Sequence, residues 1–231
     1  MTPRSGSSDP TLPSGANVAG REPEWYRWPD WSPADQVDFE ARLKRSWSSN
    51  RHQYLRIKGL ALAADGQTDA AKALFLRVLD SEDEFSELSK AGALENLADL
   101  HMHSDPAEAE RYLRRLLAEY PTLNATTGMA EVTLAEILVK RRNQSSVIEA
   151  MELLRAWVAR DRSPFPINMF RWHLVLIDAA EIMGDRETAR SSARTALELV
   201  EMGPVFPRHK TVGVVHAEAK TLKRLKKLAK T

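Results

Sequence analysis

The sequence contains no cysteine. This absence excludes disulfide bonds, thiolate nucleophiles and cysteine-based zinc sites, and it suits a reducing compartment, so we expect a cytoplasmic protein. The apolar runs are all much shorter than the ~18 residues that a transmembrane helix needs. The N-terminus has no apolar segment of the kind found in secretory signals. The 33 basic and 32 acidic residues give a net charge of +1, which indicates no overall preference for polyanions.

Recognisable catalytic motifs are also missing. The sequence has no G-x-S-x-G, Walker A, dinucleotide-binding glycine loop or H-E-x-x-H pattern. His101 and His103 are two positions apart, so on a helix they point in different directions. Asp99 and His103 share a helix face, but two ligands do not make a metal site. We therefore expect no enzyme activity, no cofactor and no metal.

One stretch, residues 51–80, carries the clearest structural pattern, and we call it the lead repeat. Its first half is mostly apolar and is interrupted at Gly66, a residue type that commonly follows a helix end. Thr68 and Asp69 then offer side-chain oxygens that cap a second helix. The second helix has its apolar residues on one face, at Ala71, Leu74, Phe75, Val78 and Leu79. Gly59 and Ala71 are small, which predicts a close crossing of the two helices.

Three more helix pairs are predicted downstream. Their apolar residues span 88–100 and 106–120, then 129–139 and 148–158, and finally 170–182 and 189–200. Ser104, Asp105 and Pro106 form a typical helix start, with proline in the first turn. A single pair of this kind cannot bury its apolar face alone, so the pairs are expected to stack.

These repeats resemble tetratricopeptide repeats over roughly residues 51–201. The matching residues are Gly59, Gly66, Ala71, Phe75 and Val78, then Ala109, Leu113, Leu116 and Pro121, then Ala150, Leu154 and Trp157, and finally Gly184, Asp185, Ala189, Ala193 and Ala196. The resemblance implies an all-α fold, a right-handed α-solenoid of antiparallel helix pairs. The corresponding alanines recur at intervals of 38, 41 and 39 residues, longer than the tetratricopeptide period of about 34. We therefore expect a tetratricopeptide-like array with lengthened connections.

Composition divides the chain into three parts. Residues 1–24 are rich in Ser, Pro and Gly and are predicted to be disordered. Residues 25–205 form the helical repeat domain, with about four helix pairs and an extra N-terminal helix. That helix begins with Ser32 as its cap and runs to about Ser48, with Val37, Phe39, Leu43 and Trp47 as its apolar residues. The aromatic segment 25–31 before it either packs on the first helices as a cap or serves as a short motif for a partner.

The resemblance also implies a partner-binding groove lined by the first helix of each pair. The groove residues would be Gln53, Arg56, Leu60, Asn96, Asp99, Met129, Arg171, Asp178 and Glu181. Some modules of this family hold the terminal carboxylate of a peptide, and Arg56 and Asn96 lie at suitable positions for that. The third pair offers Val132 and Thr133 instead, so this carboxylate clamp is incomplete. The acidic groove residues favour a partner segment that carries Lys or Arg.

The C-terminal tail, residues 206–231, is basic and includes a predicted helix over 217–230. Its cationic residues on that helix are Lys220, Lys223, Arg224, Lys226, Lys227 and Lys230. The tail has a charge of about +7, which leaves about −6 on the rest of the chain. Three interpretations stay open: a solvated capping helix, docking on an acidic surface of this protein or a partner, and binding to nucleic acid or an anionic membrane. The helix lacks the aromatics that stack on single-stranded bases.

Together these patterns predict a protein–protein interaction module, an adaptor or scaffold that binds a partner segment in its groove. The alternative is a nucleic-acid-associated protein that uses the basic helix. A spare apolar face on the first or last pair leaves a homo-oligomer open.

Overall fold

The structure is a computed structural model that describes residues 24–160, 165–206 and 208–230. The predicted disorder of residues 1–24 falls almost wholly outside this range. Within the described residues the fold is all-α, with ten α-helices and no β-strand. The helices are α1 Pro33–Arg45, α2 Ser48–Ala64, α3 Thr68–Leu79, α4 Glu87–His101, α5 Pro106–Glu119, α6 Ala130–Lys140, α7 Gln144–Ala159, α8 Pro166–Met183, α9 Arg186–Glu201 and α10 Ala219–Leu228. Short 3₁₀ turns occupy Trp25–Arg27 and Glu84–Ser86.

The start of α1 agrees with its sequence signal. The Ser32 hydroxyl accepts from the Asp35 backbone N–H at 3.3 Å, and the Asp35 carboxylate accepts from the Ser32 N–H at 2.8 Å. This reciprocal pair is a capping box. The helix ends at Arg45, earlier than expected, and of its four apolar residues only Phe39 and Leu43 are buried. Trp47 is 82 % exposed, because the chain has already left the helix at that point.

The lead repeat forms the two predicted helices, α2 and α3. Gly66 has φ +83°, the left-handed conformation that glycine adopts without strain, so it ends the first helix as predicted. The expected cap by Thr68 and Asp69 is wrong. The residue preceding α3 is Gln67, and no side chain caps that helix. Asp105, in contrast, caps α5 as expected by accepting from the Glu108 N–H at 3.1 Å.

Each helix contacts the next one along the chain. In addition, α2 contacts α4 and α6 contacts α8. One apolar core runs through α1 to α8, and a second, smaller core lies between α8, α9 and α10 around Phe170, Ile177 and Leu225. In the β-branched run 211–215, residues 211–213 form a turn, and Val215 is buried in the second core.

Candidate interaction surface

Arg56 and Asn96, the two residues suited to a carboxylate clamp, bind each other. The Arg56 Nε donates to the Asn96 Oδ1 at 2.9 Å, which joins α2 to α4. The Arg56 guanidinium lies against Gly92, where an added Cβ would come within 2.5 Å of it. Burial lowers the pKa of Arg56, although the nearby Glu95 carboxylate acts in the opposite direction. This arginine is therefore half-buried in a helix contact.

Glu95 lies next to Asn96 on α4 and is buried. Its carboxylate accepts from the Thr127 backbone N–H at 2.8 Å and from the Thr127 hydroxyl at 2.5 Å. On the other side of this connector between α5 and α6, the Trp157 Nε1 donates to the Gly128 carbonyl at 2.8 Å. Leu123 and Ala125 in the connector adopt positive φ values of 53° and 61°. Polar contacts from two helices thus hold an irregular segment beside α4.

Asp99 lies one turn after Glu95 on α4. Its side chain reaches solvent, and it forms no hydrogen bond or ion pair with any other residue that the structure describes. The pKa of Asp99 is raised to about 6, chiefly by desolvation from the surrounding protein and also by the negative charge of Glu95, while Arg171 opposes both effects. The surrounding protein therefore disfavours the charged form of this exposed carboxyl group.

Arg171 on α8 contributes to the charge around Asp99 while it is already engaged with Glu136 on α6. The Arg171 Nη2 lies 2.9 Å from the Glu136 Oε2, and the Lys140 Nζ lies 2.9 Å from the Glu136 Oε1. Burial acts to raise the pKa of Glu136, but the hydrogen bonds from Lys140 and Arg171 outweigh it and lower that pKa. The ion pair with Glu136 partly neutralises Arg171, so the positive charge of Arg171 acts less strongly on Asp99.

The remaining predicted groove residues differ in their exposure. Gln53 is exposed on α2, and Leu60 on the same helix is 41 % exposed. Met129 is only 5 % exposed and belongs to the main core. A side chain so buried presents no surface to a partner, so Met129 serves packing before α6.

Asp178 and Glu181 on α8 bind the basic C-terminal helix. The Arg224 guanidinium of α10 forms ion pairs with both carboxylates. Burial acts to lower the pKa of Arg224, but the hydrogen bonds to Glu181 and Asp178 outweigh burial and raise that pKa. Two predicted groove residues and one predicted basic-patch residue therefore meet in a single cluster. A recess of about 430 Å³ adjoins it, lined by Val139, Lys140, Arg142, Asp178, Glu181, Ile182 and Arg224.

The rest of α10 has one buried face and one charged face. Leu225 is fully buried in the second core, and Leu222 and Leu228 are half-buried. The five lysines predicted as a basic patch are exposed, namely Lys220, Lys223, Lys226, Lys227 and Lys230. The helix is thus docked on α9 through its leucines, with its lysines facing solvent.

The aromatic segment 25–31 packs on the first two helices. Tyr26 stacks on Tyr54 of α2 with ring centroids 4.5 Å apart, and Trp25 contacts both Tyr54 and Phe39. This contact supports the interpretation of the segment as a cap. Trp28 remains 47 % exposed.

Among residues 24–160, 165–206 and 208–230, no three His, Cys, Asp or Glu side chains gather in a way that could hold a metal ion. No helix in that part of the chain combines the length and apolarity needed to cross a membrane. Comparison of the chain with protein-family models, with curated proteins and with solved structures finds no match.

Proposed function

We propose that this chain is a protein-interaction module of the tetratricopeptide-like kind, a right-handed α-solenoid of antiparallel helix pairs that serves as an adaptor or scaffold. The contacts of α2 with α4 and of α6 with α8 support stacking, because stacked repeats bring the first helices of neighbouring pairs together. The recurrent alanines Ala71, Ala109, Ala150 and Ala189 are all buried, each on the second helix of its pair. Small buried residues at equivalent positions are what repeated close helix crossings require.

The observation that carries the functional proposal is the Asp99 carboxylate. It lies on α4, the first helix of its pair, and it forms no ion pair with a described residue, although the charge of Arg171 acts on it. A carboxylate whose charged form the surrounding protein disfavours gains from an incoming cation. The partner is therefore a segment that places a Lys or Arg side chain at Asp99, and the exposed Gln53 and Leu60 of α2 are further groove residues in this proposal.

The experiment compares affinity purification from a native cell lysate on three baits: the wild-type chain, Asp99→Lys, and Glu82→Lys as the control. Glu82 is an exposed acidic residue in the connector before α4, so both variants change the charge equally. Nuclease treatment removes partners held through nucleic acid. We expect a discrete set of proteins on the wild type and on Glu82→Lys that is lost on Asp99→Lys. An unchanged set on Asp99→Lys would overturn the proposal.

Proton linkage gives a second test with a peptide from the recovered partner. Because the pKa of Asp99 is about 6 in the free protein, the carboxyl is largely protonated at lower pH and attracts a cation less. A bound Lys or Arg lowers this pKa, so affinity should rise by about tenfold between about pH 5 and about pH 7. Isothermal titration at several pH values measures this, and Asp99→Asn should remove the dependence. A flat profile in the wild type would contradict the assignment of Asp99.

A further inference from the structure

A second surface, formed by α9 and α10, carries two rows of cations. On α10, Lys220, Lys223 and Lys227 follow helical spacing and share the face opposite the leucines, and Lys230 follows in the turn after the helix. On α9, Arg186, Arg190 and Arg194 are four residues apart and therefore lie along one face. Sequence patterns alone do not single out these arginines, because α9 also contains glutamates.

The two rows border each other. The Arg194 Nε donates to the Ala229 carbonyl at the end of α10, at 3.3 Å. Arg186 and Arg190 line the same recess of about 500 Å³ as Leu228. The α9 row therefore runs beside the C-terminal end of α10, and the two helices present one cationic surface.

Four lysines of this surface are exposed to solvent without an ion-paired carboxylate among the described residues. Lys220, Lys223, Lys226 and Lys230 are exposed and form no ion pair with any described residue. On other helices, exposed cations such as Arg111, Arg115 and Lys140 are paired with a glutamate of their own helix. A group of like charges without counter-charges repels itself and is relieved by a polyanion.

The way in which α10 is buried helps to distinguish an anionic membrane from nucleic acid as the polyanion. An amphipathic helix binds a membrane by inserting its apolar face, but Leu225 is fully buried against the protein and Leu222 and Leu228 are half-buried. No aromatic residue lies on α10 to stack on an unpaired base. The lysines from 220 to 230 extend over about 15 Å of helix, a length along which duplex DNA carries roughly nine phosphate charges.

We propose that the surface formed by α9 and α10 binds double-stranded nucleic acid through its phosphate backbone, without reading sequence. This binding goes beyond the proposed function, and it uses a surface separate from Asp99. Arg224 does not contribute, because Asp178 and Glu181 already hold it.

The test uses fluorescence anisotropy of a short labelled duplex DNA with the full chain, between about 50 and 200 mM salt. Contacts from the four lysines of the row and from Arg194 predict that the logarithm of the binding constant falls with the logarithm of the salt concentration, with a slope of about −4 to −5. Lys220→Gln/Lys223→Gln/Lys230→Gln should lower affinity by about tenfold or more and reduce the slope by about 3, and Arg194→Gln should reduce it by about 1. These lysines are exposed, so circular dichroism should show an unchanged fold.

The matched control is Lys44→Gln/Arg45→Gln/Arg155→Gln, which removes three exposed cations on α1 and α7. It should bind the duplex like the wild type. An equal loss of affinity in this control would overturn the proposal, as would the absence of binding at about 50 mM salt. Binding to phosphatidylserine vesicles without binding to the duplex would also overturn it. Loss of duplex binding with the protein partners retained would separate this surface from the proposed function.

Discussion

Gly59 lies where α2 passes closest to α3. A Cβ placed on it would come within 2.5 Å of the Phe75 ring, and Phe75 itself is fully buried. The ring therefore packs directly on the glycine, at the close crossing that the small residues Gly59 and Ala71 predicted. The absence of a side chain at Gly59 is therefore what allows an aromatic ring at the crossing of the lead repeat.

Gly59→Ala should destabilise the protein by about 1–2 kcal/mol, because overpacking costs about 1–3 kcal/mol and the better helix propensity of alanine recovers part of it. Chemical denaturation measures the free energy of unfolding. Gly203→Ala is the control, since nothing lies within 4 Å of a Cβ at that position. Adding Phe75→Leu to Gly59→Ala should recover part of the loss. If Gly59→Ala proves as neutral as the control, the close contact is wrong.

At the scale of elements, the segment 24–31 depends on one buried lysine of α2. Lys58 is 3 % exposed, and its Nζ donates to the carbonyls of Trp28 at 2.5 Å and Asp30 at 2.9 Å. The same ammonium lies 5.1 Å from the centre of the Trp31 ring. Burial lowers the pKa of Lys58, while the charges of Asp30 and Asp35 oppose that shift. The lysine thus ties the irregular segment to the first regular helices.

Lys58→Met should release this segment, because methionine retains the apolar stem and loses all hydrogen-bond donors. Removing bonds of a charged donor to two carbonyls should cost about 1–3 kcal/mol. The local readout is the rate of tryptic cleavage after Arg27, which should rise several-fold, together with a red shift of tryptophan fluorescence. Lys44→Met, an exposed position on α1, is the control. An unchanged cleavage rate in Lys58→Met would show that the aromatic contacts alone hold the segment.

For the molecule as a whole, two titratable groups couple stability to pH in opposite directions. His173 is buried on α8, and desolvation lowers its pKa to about 4. Its folded form therefore binds a proton less readily than the unfolded chain, so its contribution to stability falls as pH drops below about 6.5. Asp99 has a raised pKa, so its folded form takes up a proton more readily and stability rises as pH falls through about 6.

His173→Leu should flatten the loss of stability on acidification, because leucine has no proton to gain. Between about pH 7 and about pH 5, the shifted pKa of His173 alone should lower the free energy of unfolding of the wild type by about 2 kcal/mol. The difference between variant and wild type isolates this contribution, since Asp99 is present in both. His103→Leu, at an exposed position, should keep the wild-type profile. Parallel profiles for wild type and His173→Leu would contradict the burial of a neutral histidine.

Local signals in the sequence determined the helices. The capping residues Ser32 and Asp105, the interruption at Gly66 and the apolar periodicity of each segment act over a few residues, so they predict all-α structure and most helix boundaries without knowledge of distant contacts. The stacking of pairs into a tetratricopeptide-like array stays a prediction, supported by the contacts of α2 with α4 and of α6 with α8.

Only the tertiary structure decided which polar residues remain available. Arg56 pairs with Asn96 across a sequence separation of 40 residues, and Arg224 reaches Asp178 across 46. Such pairs depend on how whole helices are placed, and periodicity carries no information about them. The same placement buries Met129 and leaves Asp99 without an ion pair to any described residue. Residue types and spacing thus determined the elements, while packing over long sequence distances determined which of their charges face a partner.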